Sequence, residues 1–441
     1  MTKSVLNNKL LWVGIHLGMG ILIGNELFSK VLALGIVFFG AVFIYTRKNE
    51  GQEAVLFSAY LVGSEVLFRM TGGAVLHEMT KYVVIVFLTM GLLLEPKKHH
   101  INPVYILYIL FLLLGITFSD VPYPESIRKA IAFNLSGPFL VGVAAMYFYN
   151  RKVSVQQLLN MLFFIGLPVV CLVSFLFFRT PSPQDMIFGA EANFEMSGGF
   201  GPNQVSTILG VGFFVIAVHL LSKKSYTGNT YLDYFLLSYV LYRTFLTFSR
   251  GGLYTVLIAM AAFLLFTYLS KKNKGEFLKR YIGMPLLLLL SVWLYTSMIT
   301  GGKLENRFLN TTEKGEIKQN ITTGRAELFE QELEAFFENP IVGIGVGSAK
   351  YFRLDESGKV AATHSEVSRL LSEHGMVGLI IIGLLLLVPT MHFWKQSYKS
   401  KAFLAAFLLI WFLTINHSAM RVALPAFFYG LSLINLTKKE S

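Results

Sequence analysis

The sequence contains one cysteine and few charged residues. Cys171 is alone among 441 residues, so no disulfide can form within the chain, and cysteine usage says nothing about the redox compartment. Only 15% of the residues are charged, whereas 54% are hydrophobic and the mean hydropathy is +0.58. A soluble domain cannot bury so much apolar surface. The composition therefore predicts a membrane protein.

Several motifs that bind metals or cofactors are also missing. The sequence has no nucleophile elbow and no P-loop, and the glycines at 343, 345 and 347 lack the strand and helix context of a dinucleotide site. His99 and His100 are adjacent but have no carboxylate companions, and the acids of the predicted external loops are scattered. We therefore predict neither a metal site nor a cofactor.

Apolar runs recur along the whole chain and predict an all-α polytopic membrane protein. Several of them are shorter than the roughly 20 residues that a full crossing needs, so we expect about 12 to 14 transmembrane helices. No internal repeat interrupts the pattern, and the whole chain, 1–441, is predicted to be one transmembrane domain. The runs lie at 10–24, 28–46, 54–69, 80–94, 103–118, 129–148, 155–178, 204–222, 231–247, 251–270, 281–299, 376–394, 402–417 and 421–436.

The positive charge is spread in small clusters rather than in one stripe. The net charge is +12 and the isoelectric point is near 9.5, but a nucleic-acid partner is not expected, because such proteins concentrate the charge on one surface. Clusters at every second junction are typical of cytoplasmic loops, which predicts that both termini are cytoplasmic. Two long segments, 179–203 and 300–375, then lie on the external side, which is the periplasm in a bacterium.

The longer external segment, 300–375, is predicted to contain an amphipathic helix. Gly324 precedes the helix and Pro340 ends it. Such a helix is expected to lie on the membrane surface and to cap a cavity below it. The predicted apolar face is Ala326, Phe329, Leu333 and Phe336, and the polar side is Glu327, Gln331, Glu334 and Glu338.

Arg250 stands between two long apolar runs, in the stretch TFSRGGLY. Arg243 precedes it by seven residues, so on one continuous helix both guanidinium groups would share a face, about 10 Å apart. Such a cationic ladder would suit phosphate, which arginine binds through two oxygens at once. The following glycines allow another backbone or a ligand to approach closely. The simpler alternative is that Arg250 extends to the membrane interface.

Three further residues are candidates for a site in the external cavity. Arg325 begins the loop helix, where the helix dipole disfavours a cation, so it is expected to meet an anion or else to be an ordinary solvated charge. His364 lies at the external end of the next span and can act as a general base, with His374 as its competitor. Asn203 lies at an external helix start, where it is either a polar cavity residue or a cap.

These motifs together resemble the O-antigen ligase and O-antigen polymerase family of bacterial membrane glycosyltransferases. The resemblance covers residues 200–385 and depends on the order of its motifs more than on any one of them. The family histidine is commonly followed by asparagine, whereas Ser365 follows His364 here. The motifs are Ser249 to Gly252, Gly324-Arg325, Asn339 to Gly347, His364 with Glu373 to Gly378, and Asn203 after Gly201-Pro202.

The resemblance implies transfer of a glycan from undecaprenyl pyrophosphate on the outer face of the bacterial cytoplasmic (inner) membrane. The acceptor is lipid A-core in ligases and another lipid-linked repeat unit in polymerases. Arg250 and Arg325, with Arg243 deeper, would bind the pyrophosphate, and His364 would deprotonate the acceptor hydroxyl. No metal is required. Inverted repeats and charges buried in mid-membrane would instead indicate a transporter or flippase. Glu65 and Arg69, four residues apart in one span, hint at this, but we expect them rather to form an internal pair that fixes helix packing.

Overall fold

The computed structural model describes residues 8–96, 99–122, 125–189, 191–271, 273–278, 283–312, 316–317, 324–352 and 363–437. Helices dominate, as predicted. They are α1 (Lys9–Leu22), α2 (Glu26–Thr46), α3 (Glu53–Met70), α4 (Met79–Leu94), α5 (Pro103–Leu114), α6 (Ile127–Phe148), α7 (Val155–Arg179), α8 (Pro202–Leu221), α9 (Thr230–Leu246), α10 (Arg250–Leu269), α11 (Lys274–Leu278), α12 (Met284–Ile299), α13 (Lys303–Leu309), α14 (Arg325–Glu338), α15 (Glu366–Trp394), α16 (Tyr398–His417) and α17 (Leu424–Leu431).

Helix starts follow the local sequence. The side chain of Asn102 caps α5 and Pro103 occupies its first position, where the missing N–H costs nothing. Ser154 and Gln157 form a reciprocal capping box at the start of α7. Inside α15, Gly375 has φ +60°, and the helix is kinked there. These signals place the helices close to the apolar runs.

The number of membrane-spanning helices is lower than the apolar runs predict. Seven of the described helices are long and apolar enough to cross a membrane, and α12 with α13 would make eight if this pair, bent by 114°, were one span. α1, α4 and the helix that consists of α5 and its continuation to Phe118 are apolar but shorter. The run at 421–436 forms only α17, eight buried residues. Apolar composition thus predicted helices correctly, but some of these runs are too short to cross on their own.

The helices pack around one connected apolar core that extends from Val13 to Ile434. α10 packs on α8 and α16, and α7 packs on α1 and α3. Two short strands, β1 (Lys152–Ser154) and β2 (Asn435–Thr437), pair in parallel and join the start of α7 to the end of the chain. The packing of α10 against α8 and α16 positions Arg250, the first residue of α10.

Candidate functional site

The helix is interrupted between α9 and α10, so Arg243 and Arg250 do not share a helix face. Phe248 adopts a left-handed conformation with φ +53°, and Ser249 is extended. The buried Arg243 guanidinium donates to the Thr180 hydroxyl at 3.1 Å and to the Met196 carbonyl at 2.9 Å. The predicted ladder required a continuous helix, and the left-handed residue removes it.

The glycines after Arg250 allow close helix packing. A Cβ at Gly252 would come within 2.5 Å of the Thr207 backbone nitrogen on α8, and one at Gly251 would come within 2.5 Å of the His417 ring on α16. The Ser249 hydroxyl donates to the Asn203 side chain at 2.7 Å. Asn203 therefore joins α8 to the start of α10, whereas the N-cap of α8 is Gly201.

α13 lies against the break and holds Arg250. The Arg250 guanidinium donates to the side-chain oxygen of Asn310, the residue that ends α13. Arg307, also on α13, donates to the Phe248 carbonyl at 2.9 Å and to the Glu191 carboxylate at 3.2 Å. Arg307 was not predicted from the sequence, and it lies between motifs.

Four arginines form what we call the cationic cluster, defined by Arg250, Arg307, Arg325 and Arg421. Burial, followed by the charge of Arg250, lowers the pKa of Arg325. Burial and then Arg325 lower the pKa of Arg421. Arg307 is repelled by both Arg250 and Arg325. Cations that burial and neighbouring positive charges disfavour in this way would be stabilised by an anion beside them.

Arg421 was also missed, although its sequence signal resembles that of Arg250. It is a lone arginine between two apolar runs, at a predicted external junction. It lies in the turn of residues 418–423 between α16 and α17, and its guanidinium donates to the Thr363 carbonyl at 2.7 Å. This contact joins the cationic cluster to the segment that carries His364.

His364 lies beside the same turn and just before α15. Its carbonyl accepts a hydrogen bond from the Ala419 N–H at 3.0 Å, and its side chain is half-buried. The Ser365 hydroxyl, which stands where the family commonly has asparagine, donates to the Asn416 side chain at 3.2 Å. The structure thus brings the His364 segment to Arg421, as a base near the cationic cluster requires.

Two other histidines are held in helix packing. His374 is buried in α15, and its Nε2 lies 3.3 Å from the Leu112 carbonyl of α5. His417 lies 3.1 Å from the Thr207 hydroxyl through Nε2 and 2.8 Å from the Leu413 carbonyl through Nδ1. Both nitrogens of His417 are therefore engaged, and His374 contacts a helix that carries none of the four arginines.

The loop helix α14 begins and ends where the sequence predicts, but its buried face is different. Glu332 and Ala335 are buried against α15, and the Ser368 hydroxyl donates to the Glu332 carboxylate. Phe329 is 44% exposed and Phe337 is 72% exposed. Glu332 and Ala335 thus form the face that packs on α15, and Phe329 lies outside this face.

Two buried groups of charges hold the 418–423 turn. On α3, Glu65 accepts from the Ala423 N–H at 2.6 Å, and Arg69 donates to the Arg421 carbonyl at 2.8 Å. The Arg69 and Glu65 side chains pair at 2.7 Å, which agrees with the predicted internal pair. Buried charges that are paired and bonded to backbone are stable where single charges are not.

The second group lies on α15. Arg369 pairs with Glu366 and Glu373 on either side of it. Glu366 also accepts from the Met420 N–H at 3.3 Å, and Glu373 accepts from the Gly347 N–H at 2.9 Å. These carboxylates fix both the 418–423 turn and the glycine-rich turn after α14. Within the described ranges, no three His, Cys, Asp or Glu residues are grouped so that they could hold a metal ion.

The helices and the clustered arginines define an all-α polytopic membrane protein with a polar site at one end of its bundle. Residues 235–383 match the family model described as O-antigen ligase, and over this segment the predicted resemblance is confirmed. The match includes Arg250, Arg325 and His364, whereas Asn203 and Arg421 lie outside it. It supports a glycosyltransferase type of activity in polysaccharide synthesis. No curated protein matches the chain significantly.

Proposed function

We propose that the protein transfers a glycan from undecaprenyl pyrophosphate to an acceptor hydroxyl, as an O-antigen ligase does with lipid A-core. The observation that carries the proposal is the cationic cluster next to the His364 segment. Arg250 and Arg325 come from separate motifs, and burial, followed by the charge of Arg250, lowers the pKa of Arg325. A diphosphate between them would remove this repulsion.

The cationic cluster would act on the leaving group. As the bond from the anomeric carbon to the phosphate oxygen breaks, that oxygen gains negative charge. Guanidinium groups that are already in place stabilise such charge without reorganisation. Asn310 and the Ser249–Asn203 bond hold the start of α10 in position, so the Arg250 side chain needs little rearrangement.

His364 would act on the acceptor. A sugar hydroxyl is a weak nucleophile until a base removes its proton, and a positioned base contributes about 10²–10⁴-fold to the rate. In the proposed step, the acceptor oxygen attacks the anomeric carbon, its proton moves to His364, and undecaprenyl pyrophosphate leaves. The groups that act in this step are all side chains of the protein, and no metal is assigned a role.

We place the reaction on the outer face of the bacterial cytoplasmic membrane, with both termini inside. The contacts at the opposite end of the bundle support this orientation. The Lys9 ammonium donates to the Ser225 carbonyl at 2.8 Å, and β1 pairs with β2. The start of α1 and the turn after α8 therefore meet, as do the segments before α7 and after α17. All four belong to the predicted cytoplasmic side.

The test uses purified protein in lipid vesicles with a lipid-linked glycan donor and, separately, lipid A-core or a second lipid-linked repeat unit as acceptor. Alanine at Arg250, Arg325 or His364 should reduce transfer by about 100-fold or more. Arg47→Ala is the matched control. Arg47 is an arginine outside the cationic cluster; it directly follows α2, and its guanidinium lies over the Phe43 ring.

Each product identifies one activity. Glycan joined to lipid A-core supports the ligase proposal. A ladder of longer lipid-linked chains without core would replace it with the polymerase activity. Full transfer by all three variants would reject the site, and movement of lipid-linked glycan across the vesicle membrane without covalent product would reject the enzyme in favour of a transporter.

A further inference from the structure

A cleft beside the His364 segment has both apolar and polar side chains in its lining. It lies between α6 and the glycine-rich turn after α14, and it encloses about 310 Å³. Lys129 and Asn134 line it from α6, and Tyr351 lines it from the turn. Its inner end reaches Thr363. The volume is at the lower end of the range of small-molecule sites, about 300–1,000 Å³.

A separate cavity of about 20 Å³ lies beside the cleft, towards the cationic cluster. It shares Asn134 and Thr363 with the cleft and extends to Arg421. Thr363 accepts a hydrogen bond from Arg421 through its carbonyl, at 2.7 Å, and directly precedes His364. A molecule in the cleft would therefore lie beside the segment that carries the proposed base.

Specific contacts hold the walls of the cleft in place. Gly347 has φ +85°, and a Cβ there would come within 3.0 Å of Ala130 on α6. The Ser348 hydroxyl donates to the Asp120 carbonyl at 2.8 Å, which fixes the turn against the segment after α5. The buried pair of Arg369 and Glu373 lies at the floor. A space whose walls are fixed in this way is preorganised for a ligand.

The lining combines an aromatic ring with polar groups of both signs. The Lys350 ammonium lies 5.1 Å from the Tyr351 ring and 3.8 Å from the Glu125 carboxylate. The Asn134 side chain donates to the Ala130 carbonyl at 2.9 Å. A sugar ring has an apolar face and a polar edge, which suits an aromatic surface beside hydrogen-bonding side chains.

We infer that this cleft binds the terminal sugar of the acceptor glycan and presents its hydroxyl to His364. The inference depends on the proposed function and assigns its second substrate. The donor is held by the cationic cluster, so the cleft affects the acceptor alone. Acceptor and donor affinities should therefore respond to different residues.

The test varies acceptor and donor concentrations separately, with the acceptor that the wild-type protein uses, lipid A-core or a lipid-linked repeat unit. Tyr351→Ala and Asn134→Ala should each raise the acceptor KM by about fivefold to tenfold, the loss of one good contact. The donor KM should stay unchanged, as should kcat at saturating acceptor. Lys30→Ala on α2 is the control, because among the described residues Lys30 pairs with Glu26 on the same helix.

A second variant blocks the cleft without disturbing the core. Ser126 lines the mouth, is exposed, and makes no side-chain cap bond at the start of α6. Ser126→Trp should raise the acceptor KM more than the alanine variants and leave the melting temperature unchanged. If the wild-type protein transfers glycan and these variants keep its acceptor KM, the cleft is not the acceptor site. If the wild-type protein transfers to neither acceptor, the proposed function itself fails.

Discussion

Alanine at position 252 would place a methyl group where α8 and α10 are in contact. The added Cβ would lie 2.5 Å from the Ser206 carbonyl carbon and 2.5 Å from the Thr207 nitrogen, and would also meet the Ser206 hydroxyl. Real Cβ contacts are longer, and two of these atoms are backbone. The helices must therefore separate, which breaks the 3.1 Å bond from the Ser206 hydroxyl to the Ser249 carbonyl.

The expected cost can be isolated with a matched variant. Overpacking costs about 1–3 kcal/mol, and contact with backbone places Gly252→Ala towards the upper end. Alanine also favours helix over glycine by about 1 kcal/mol. Gly14, on α1, has nothing within 4 Å of an added Cβ, so Gly14→Ala keeps that gain without a clash. The difference between the two variants should be about 2–3 kcal/mol.

The assay is thermal unfolding of the purified variants in detergent, with glycan transfer measured in parallel. Gly252→Ala should melt below the wild-type protein, whereas Gly14→Ala should melt at or above it. The donor KM should also rise in Gly252→Ala, because Arg250 moves with the start of α10. Equal melting of both variants, with activity lost only in Gly252→Ala, would refute the packing argument and show that the glycine admits a ligand.

Three other substitutions separate positioning from binding. Arg69→Ala leaves Glu65 buried without its partner, so unfolding should cost about 3–5 kcal/mol less; a melting temperature equal to that of Lys30→Ala would contradict this. Arg307→Ala should raise the donor KM by about tenfold, since one cation of the cluster is lost; an unchanged donor KM would remove it from the site. Arg243→Ala should lower stability by about 1–3 kcal/mol while the donor KM stays unchanged; a higher donor KM would restore the predicted phosphate contact.

Most helices were predictable because apolar composition and caps are local properties. The break before Arg250 was not, since it depends on Phe248 at φ +53°. A bulky residue rarely adopts this conformation without tertiary support. Here the Arg307 guanidinium donates to the Phe248 carbonyl, a contact with a residue 59 positions later. Long-range support of this kind leaves no pattern in the surrounding sequence.

The candidate site, too, was only partly predictable from the sequence. Arg250, Arg325 and His364 were predicted because motif order marks them. The face of α14 that packs on α15 was not predicted, because hydrophobicity favoured Phe329, whereas the buried contact is made by Glu332. A carboxylate is rarely expected in a helix interface, and its hydrogen bond from the Ser368 hydroxyl favours this burial.

The buried charges of α3 follow from the position of Arg421. Glu65 and Arg69 are the pair that hinted at a transport pathway, since ionisable groups within a membrane domain usually have a function. Both bond to the backbone of the 418–423 turn, at the Ala423 N–H and the Arg421 carbonyl. Within the same turn, the Ala419 N–H donates to the His364 carbonyl. In the structure these charges hold one turn in place, and the carboxylate of Glu78 lies 3.7 Å from the Arg69 guanidinium. Their arrangement therefore fits an enzyme, in which a base and a cation must keep a fixed separation.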